Sequence, residues 1–224
     1  GLRYLGVNVD YDFPARPREG HGLQVRIIDE AKQRGANLII TTDCGSKDIE
    51  ATKYAIDNGI DIVITDHHIL GKTLPPAYAV VNPHLVQETT SFKKCAGATV
   101  SLKFMQALFK HLDKELPESI LDFFTACATL GTLSDRMSMR DPLNRRLVIE
   151  GIRALQKTKR EGLKALKRVC GEAGPVIRPR SLSRTIIPRL NAPGRIGDPL
   201  AGIPDSNMVV ALLLIGSGKK NVQK

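Results

Sequence analysis

The stretch that decides the fold is Asn37–His68, NLIITTDCGSKDIEATKYAIDNGIDIVITDHH. Two apolar runs of strand length, Asn37–Thr42 and Ile60–Thr65, are rich in β-branched residues and flank a helix-like segment, Lys47–Asn58. This order predicts a β-α-β unit, and its crossover makes the two strands parallel and neighbouring.

Each of these strands runs directly into residues that bind metals. Asp43 follows the first strand, and Asp66, His67 and His68 follow the second. The carboxyl ends of parallel strands form the ligand crevice of such a sheet, so these side chains are expected to lie side by side. Carboxylates and imidazoles that converge there predict a site for a divalent ion, Mn²⁺ or Mg²⁺.

The rest of the chain predicts an α/β fold, a parallel sheet with flanking helices, followed by a mostly helical region. Short strands are predicted at Leu5–Asp10 and Tyr78–Val81, a linker at Pro175–Arg180 and an irregular segment at Arg189–Pro204. Apolar spacing of three and four predicts helices at Leu23–Arg34, Ala98–Leu112, Pro117–Thr132, Leu143–Lys157, Lys159–Cys170, Ser181–Ile187 and Asp205–Ile215. We predict a division into residues 1–116, the metal-binding α/β part, and 117–224, the helical part.

Composition narrows the class of function. The net charge of +10 and pI near 9.6 favour a polyanionic partner, although lysines and arginines that merely solvate helices explain the same charge. Aromatic residues make up only 4% and Trp is absent, which argues against a broad base-stacking platform. No apolar run predicts a membrane span. The four cysteines lack zinc-finger spacing and predict free thiols in a reducing cytoplasm.

Several short motifs carry a resemblance to a known family. They are, in chain order, Phe13–Leu23 (FPARPREGHGL), Thr41–Gly45 (TTDCG), Ile64–His68 (ITDHH), Val81–His84 (VNPH), Cys95–Leu102 (CAGATVSL), Thr129–Asp135 (TLGTLSD) and Pro188–Gly197 (PRLNAPGRIG). Together they resemble the DHH phosphoesterase superfamily, and within it the bacterial exonucleases specific for single strands. The resemblance runs along nearly the whole chain.

The resemblance implies a site with two divalent ions, usually Mn²⁺, that share a bridging carboxylate. Asp43 resembles that bridge, His67 an imidazole ligand, and Asp135 the carboxylate that completes the shell. Asp66 is expected to orient His67 through its second ring nitrogen, and His68 to face the scissile phosphate or the leaving oxygen. Two cations of this kind clamp a phosphodiester and activate water.

Asp135 also has a simpler interpretation, as a carboxylate at a helix end paired with the neighbouring Arg136. Cys44 adjoins Asp43 and resembles a nucleophile, but a small buried side chain at the strand end explains it better. His84 is a loop histidine near the crevice.

Three arginines are candidates for holding phosphate, since the planar guanidinium fork binds phosphate in a bidentate manner. Arg16 is predicted in the loop after the first strand, at the same edge as the metal site. Arg189 and Arg195 bracket Asn191, which joins them as a candidate nucleic-acid contact. The alternative is that Arg189 and Arg195 hold their own loop through carbonyls and Asp198.

The resemblance has one gap, because the superfamily's first motif, of the type DYDADG, is missing. Asp10–Asp12 reads DYD, but FPAR follows it and already matches a later segment, so we reject that assignment. We expect the first motif upstream of Gly1, and a second, smaller domain and an oligonucleotide-binding domain downstream. This stretch alone is therefore expected to be weakly active or inactive.

The leading hypothesis is a cytoplasmic 5′→3′ exonuclease that hydrolyses single-stranded DNA to 5′-mononucleotides in repair and recombination. A helicase or single-strand-binding protein is a further expected partner. A smaller-substrate phosphodiesterase, acting on nanoRNA or cyclic dinucleotides, is the second enzymatic alternative. A non-catalytic DHH scaffold or DNA-binding module is the alternative from another class.

Overall fold

The computed structural model describes residues 1–85, 91–197, 203 and 205–216, and of residues 91 and 92 only the main chain. The three strands are β1 (Leu38–Thr42), β2 (Asp61–Thr65) and β3 (Ala79–Val81). They pair in parallel in the order β1-β2-β3. This confirms the predicted β-α-β unit and the α/β fold with a parallel sheet and flanking helices.

Helices cover most of the remaining described chain. They are α1 (Arg16–Glu19), α2 (Val25–Gln33), α3 (Ile49–Asp57), α4 (Gly97–His111), α5 (Glu118–Ser134), α6 (Pro142–Lys157), α7 (Glu161–Val169), α8 (Pro179–Arg184), α9 (Ile186–Asn191), α10 (Pro193–Ile196) and α11 (Ser206–Leu214). Short 3₁₀ turns lie at Pro83–Leu85 and Ser91–Lys94. Asp205 caps α11 by accepting a hydrogen bond from the Asn207 N–H, as predicted.

The buried apolar residues form two main clusters. One lies around the sheet and contains Leu23, Ile28, Ala55, Ile60, Ile62 and Ile64. The other joins α5 to α9 and includes Leu130, Leu155, Leu163, Leu182 and Ile186. A smaller group, Leu102, Ala128 and Leu147, connects α4, α5 and α6. The predicted division at residue 116 stays a prediction.

The predicted strand at Leu5–Asp10 is wrong. Residues 2–6 form turns, in which the Leu5 N–H bonds to the Gly1 carbonyl and the Val7 N–H to the Leu2 carbonyl. A strand needs its N–H groups free for a neighbour, whereas those of Leu5, Gly6 and Val7 are satisfied locally. Gly6, at a φ of 84°, supplies the left-handed turn that bends the chain.

The predicted linker at Pro175–Arg180 and the predicted irregular segment at Arg189–Pro204 are also partly wrong. Pro179 begins α8 and Pro193 begins α10, while Pro188 lies in the first turn of α9. Proline is compatible with the first helical turn, where its missing N–H has no helical partner anyway. Proline content therefore did not argue against short helices in this region.

Among the described residues, no helix combines the length and the apolar character that crossing a membrane would require.

Candidate metal centre

The three strands end level with one another. Thr42 pairs with Thr65, and Thr65 pairs with Val81, so the residues that follow, Asp43, Asp66 and Asn82, stand in one row. The Asp43 N–H bonds to the Thr65 carbonyl at 2.9 Å, and the Asp66 N–H to the Val81 carbonyl at 3.0 Å. Three polar side chains thus enter the crevice from adjacent positions.

Asp43, His67 and Asp135 meet in the crevice although they come from three separate stretches. Nε2 of His67 lies 3.1 Å from Oδ1 of Asp43 and 3.8 Å from Oδ2 of Asp135. Asp135 is the C-cap of α5 and follows its last residue directly. Potential ligand atoms of Asp43, His67 and His68 also lie within 4.8 Å of one another. The structure therefore brings together all three predicted metal ligands, with His68 beside them.

The orientation of the His67 ring is set by a main-chain carbonyl. Nδ1 of His67 lies 2.9 Å from the carbonyl oxygen of Cys95. A carbonyl only accepts, so Nδ1 carries a proton. Nε2 faces the two carboxylates: it donates to Asp43 when the ring is protonated, and its lone pair is available to a metal when the ring is neutral. The expected contact between Asp66 and the second ring nitrogen of His67 is wrong, because that nitrogen faces Cys95, just before the start of α4.

The electrostatics of this cluster favour a cation between its members. The Asp43 carboxylate, helped by the charge of Asp135, raises the pKa of His67 against the opposing effect of burial. Burial and the charge of Asp43 raise the pKa of Asp135. A divalent ion would relieve the repulsion between these carboxylates, and two carboxylates with an unprotonated imidazole nitrogen suit Mn²⁺ or Mg²⁺. The residues present fit the implied metal.

Asp66 holds His68 rather than His67. Oδ1 of Asp66 lies 2.7 Å from Nδ1 of His68 and also accepts the main-chain N–H groups of His67 and His68. Its Oδ2 accepts the Ser46 N–H at 3.1 Å. Burial opposes the charge of Asp66, but hydrogen bonds from His68 and Ser46 outweigh it and lower the pKa of Asp66 to about 2.

Asn82 closes this network from the third strand end. It is buried, and its amide nitrogen donates to Ser46 Oγ and to the His68 carbonyl, each at 2.9 Å. Its amide oxygen accepts the His84 N–H at 2.9 Å. Sequence reasoning missed Ser46 and Asn82; the NPH motif, next to a predicted strand end, was the available signal.

The first turn of α4 packs directly on Asp43. Gly97 begins this helix, and a Cβ added at Gly97 would lie 2.7 Å from Cγ and 2.8 Å from Cβ of Asp43, with Oδ1 closer still. Only glycine admits the carboxylate there, at the positive end of the helix dipole. Sequence reasoning matched the CAG motif but did not assign Gly97 this role.

The predicted phosphate-binding residues are placed as follows. Arg16 is the first residue of α1 and does not lie in a loop after a strand, because the predicted strand at Leu5–Asp10 does not form. Helix α1 lies beside α10, which carries Arg195. Both side chains are exposed and have no ion-pair partner among the described residues. Arg189 donates to the Thr185 carbonyl at 2.8 Å, as its structural alternative predicts, whereas Asp198 lies outside the described residues.

Asn191 contacts the helix end that precedes the proposed metal ligand Asp135. Its amide nitrogen donates to Ser134 Oγ at 2.9 Å, and Ser134 precedes Asp135 in the chain. The end of α9 is thereby tied to the end of α5. Asp135 and Arg136 form no ion pair in the part of the chain that the structure describes, so the simpler interpretation of Asp135 lacks its expected contact.

Cys44 does not have the environment of a nucleophile. Burial, and then the charges of Asp48, Asp66 and Asp43, raise the pKa of its thiol to about 12. A thiol kept protonated in this way is a poor nucleophile.

The fold and the site together are those of a class of metal-binding α/β proteins. Residues 1–131 match the model of the DHH family, N-terminal domain. The chain belongs to the DHH family. It is 36% identical over 195 residues to the single-stranded-DNA-specific exonuclease RecJ of Bacillus subtilis (strain 168), covering 87% of this chain and 24% of that protein. It is 34% identical over 211 residues to RecJ of Escherichia coli (strain K12), covering 90% and 36%.

Two solved structures share the architecture. A crystal structure of exonuclease RecJ bound to manganese matches with a TM-score of 0.77 and 28% identity, over 95% of this chain and 53% of that one. RecJ from Thermus thermophilus, in complex with Mn²⁺, matches with a TM-score of 0.73 and 27% identity, over 95% and 30%. The chain thus spans about a quarter to a third of the length of the curated relatives it matches.

Proposed function

We propose that this chain forms the metal-binding part of a 5′→3′ exonuclease that hydrolyses single-stranded DNA to 5′-mononucleotides. The observation that carries the proposal is the convergence of Asp43, His67 and Asp135, with Nε2 of His67 3.1 Å and 3.8 Å from the two carboxylates. The RecJ names and the manganese in both related structures support the same activity and metal. Mn²⁺ is the preferred ion, and Mg²⁺ the alternative.

Asp43, His67 and Asp135 would hold the metal, with Asp43 bridging two ions in the complete site. When bound, such ions lower the pKa of water and stabilise charge on the attacking and leaving oxygens of a phosphodiester. The Cys95 carbonyl keeps the proton of His67 on Nδ1, which leaves Nε2 free as a ligand. Gly97 gives the Asp43 carboxylate room to approach from the end of β1.

His68 is proposed to face the scissile phosphate or the leaving oxygen. Asp66 fixes Nδ1 of His68 at 2.7 Å, so the ring presents Nε2 to the crevice. The low pKa of Asp66 keeps this carboxylate charged at neutral pH, which favours a proton on Nδ1. In this proposal Asp66 acts through His68 and is a positioning residue.

Arg16, Arg189, Arg195 and Asn191 are proposed to contact the nucleic-acid backbone. Arg16 and Arg195 sit on neighbouring helices with exposed side chains, which favours a shared phosphate contact. We further propose that the protein acts in DNA repair and recombination in the cytoplasm. A helicase or single-strand-binding protein would supply the strand. The predicted division at residue 116 also belongs to it.

The test compares nucleotide release from single-stranded DNA by the natural full-length protein with and without Mn²⁺. Asp135→Asn keeps the shape of the side chain and removes its charge; Asp57→Asn, an exposed change at the end of α3, is the matched control. We expect Mn²⁺-dependent release of 5′-mononucleotides by wild type and control. The Asp135 variant should lose about 10–100-fold or more, because even changes beside a metal ligand cost that much. Equal release by all three proteins would contradict the role of Asp135.

The same assay separates the alternatives. Preference for di- to tetranucleotides over long strands would favour a small-substrate phosphodiesterase. Binding of single strands with no Mn²⁺-dependent release would favour a non-catalytic scaffold.

A further inference from the structure

A cavity of about 430 Å³ opens beside the two histidines of the site. Its described lining includes His67, His68, His84, Lys93, Lys94 and Arg136. His67 and His68 thus belong both to the group of side chains around Asp43 and to the lining of this cavity. The cavity is therefore a continuation of the crevice that holds the proposed metal ligands.

The charge of this cavity is opposite to that of the proposed metal ligands Asp43 and Asp135. Lys93, Lys94 and Arg136 supply three positive charges, and none of the described residues that line the cavity is a carboxylate. Ile69, at 73% exposure, and Met137 add an apolar wall. A ligand with both an anionic and an apolar part, such as a nucleotide unit of a DNA strand, matches this combination.

The wall of the cavity is held by a buried side chain. Asn144 is fully buried, and its amide nitrogen donates to the Lys94 carbonyl at 2.8 Å and to the Ser138 carbonyl at 3.2 Å. Lys94 directly precedes Cys95, whose carbonyl orients His67. One short segment therefore positions both the cationic wall and a proposed metal ligand.

Arg136 reaches this wall at a conformational cost. Its φ of 53° is in the left-handed region, which arginine adopts rarely. Such a residue, immediately after Asp135, turns the chain from the proposed metal ligand to the cavity. The helix end explains this conformation: the Met137 N–H donates to the Thr132 carbonyl and the Arg136 N–H to the Leu133 carbonyl, which is the Schellman pattern that closes α5.

We propose that this cavity, the cationic pocket, binds one nucleotide unit of the single strand, with Lys93, Lys94 and Arg136 on a phosphate next to the scissile one. The inference rests on the proposed function and adds a backbone contact distinct from those of Arg16, Arg189 and Arg195. It assigns to the pocket the role of setting the register of the strand relative to the metal cluster.

The test is affinity of the natural full-length protein for short single-stranded oligonucleotides in which one phosphate at a time is a neutral methylphosphonate. The variants are Lys93→Ala, Lys94→Ala and Arg136→Ala. Alanine keeps a Cβ at position 136, so the backbone strain is unchanged, and thermal unfolding checks the fold. Lys103→Ala and Arg153→Ala, exposed positions outside the pocket, are the matched controls.

We expect one linkage at which neutralisation weakens binding by wild type several-fold but has no further effect on the pocket variants, because the same contact is already lost. Each lost contact should also flatten the slope of log affinity against log salt by about 0.7, the value for single strands. Arg136→Lys should restore part of the affinity.

The inference would be overturned if the pocket variants bound oligonucleotides like the controls. It would also be overturned if neutralising each linkage in turn weakened their binding to the same extent at every position. Mn²⁺-dependent release by wild type, measured separately, tests the proposed function. If wild type releases nucleotides normally and the pocket variants bind like the controls, only the role of the cationic pocket is contradicted. If wild type releases none, the proposed function itself is contradicted.

Discussion

Gly97 and Asp43 are in such close contact that no side chain fits between them: a Cβ on Gly97 would lie 2.7 Å from Cγ of Asp43. Gly97→Ala should therefore displace the carboxylate and lower Mn²⁺ affinity about 10–100-fold, the usual cost of disturbing a metal ligand's support. Titration calorimetry with Mn²⁺ measures this. Gly174→Ala is the control, since a Cβ there meets nothing within 4 Å. Unchanged affinity in the Gly97 variant would contradict the role of this contact.

Asn82 should matter for both stability and His68. Asn82→Ala leaves Ser46 Oγ, the His68 carbonyl and the His84 N–H without their present partner, so we expect a loss of about 1–3 kcal/mol in the free energy of unfolding. Because His68 loses an anchor, kcat should fall more than KM rises. Asn58→Ala, which loses two exposed contacts at the end of α3, with the Tyr54 carbonyl and with Lys32, is the comparison. A stability loss with unchanged kcat would leave Asn82 a purely structural residue.

Asn191 and Ser134 allow a test between two roles for Asn191. If Asn191 acts by holding Ser134 beside Asp135, Asn191→Ala and Ser134→Ala should lower activity to a similar extent, and the double variant should be no worse than either. If Asn191 contacts DNA, only its own variant should weaken oligonucleotide binding. Steady-state kinetics and binding of the three variants distinguish these outcomes, and fully additive losses in activity would exclude the positioning role.

Arg26 should stabilise the segment that carries Arg16 in a pH-dependent manner. Its guanidinium contacts Glu19 at 2.7 Å and Glu30 at 2.9 Å, and donates to the Phe13 carbonyl. The hydrogen bond from Arg26 lowers the pKa of Glu19 below its ordinary 4.5.

A carboxyl group whose folded pKa is lowered contributes stability above its unfolded pKa, and that contribution disappears as the pH falls through the folded value. The stability difference between wild type and Arg26→Gln should therefore be largest above the ordinary Glu19 pKa of 4.5 and shrink below it. Because Arg26 is partly exposed, we expect a pairing contribution of about 1 kcal/mol or less. Denaturant unfolding between neutral and acidic pH measures this, and a difference that does not change with pH would contradict the assignment.

The sequence predicted the β-α-β unit and the long helices well, and the short elements near prolines and at the start of the chain less well. The β-branched runs on either side of Lys47–Asn58 predicted the parallel strands, and this alone placed Asp43 beside the DHH triplet. The strand at Leu5–Asp10 failed because strand formation needs a partner, which an apolar run does not specify. The helix predicted at Ser181–Ile187 forms as α8 but already starts at Pro179, and α10 at Pro193 was missed, because Pro and Gly content was taken as irregular structure.

The side chains predicted to form the site converge, but the sequence did not predict the contacts that support them. Asp43, His67 and Asp135 do converge, whereas the partner of the His67 ring is a main-chain carbonyl at Cys95, not Asp66. A carbonyl carries no sequence signal, because every residue has one. Lys93 and Lys94 were overlooked for a similar reason: lysines are common on surfaces, and only the folded chain shows that they line a cavity with the histidines.

The account depends on a divalent ion bound by carboxylate and imidazole groups at the ends of β1, β2 and α5. Anomalous diffraction from crystals of the natural protein soaked in Mn²⁺ locates such an ion directly. Asp43→Asn is the matched variant, because asparagine tolerates the φ of 62° found at Asp43 and only the charge changes. We predict a peak within ligand distance of Asp43, Nε2 of His67 and Asp135 that weakens or disappears in the variant. A wild-type map with no peak among these three side chains would contradict the account.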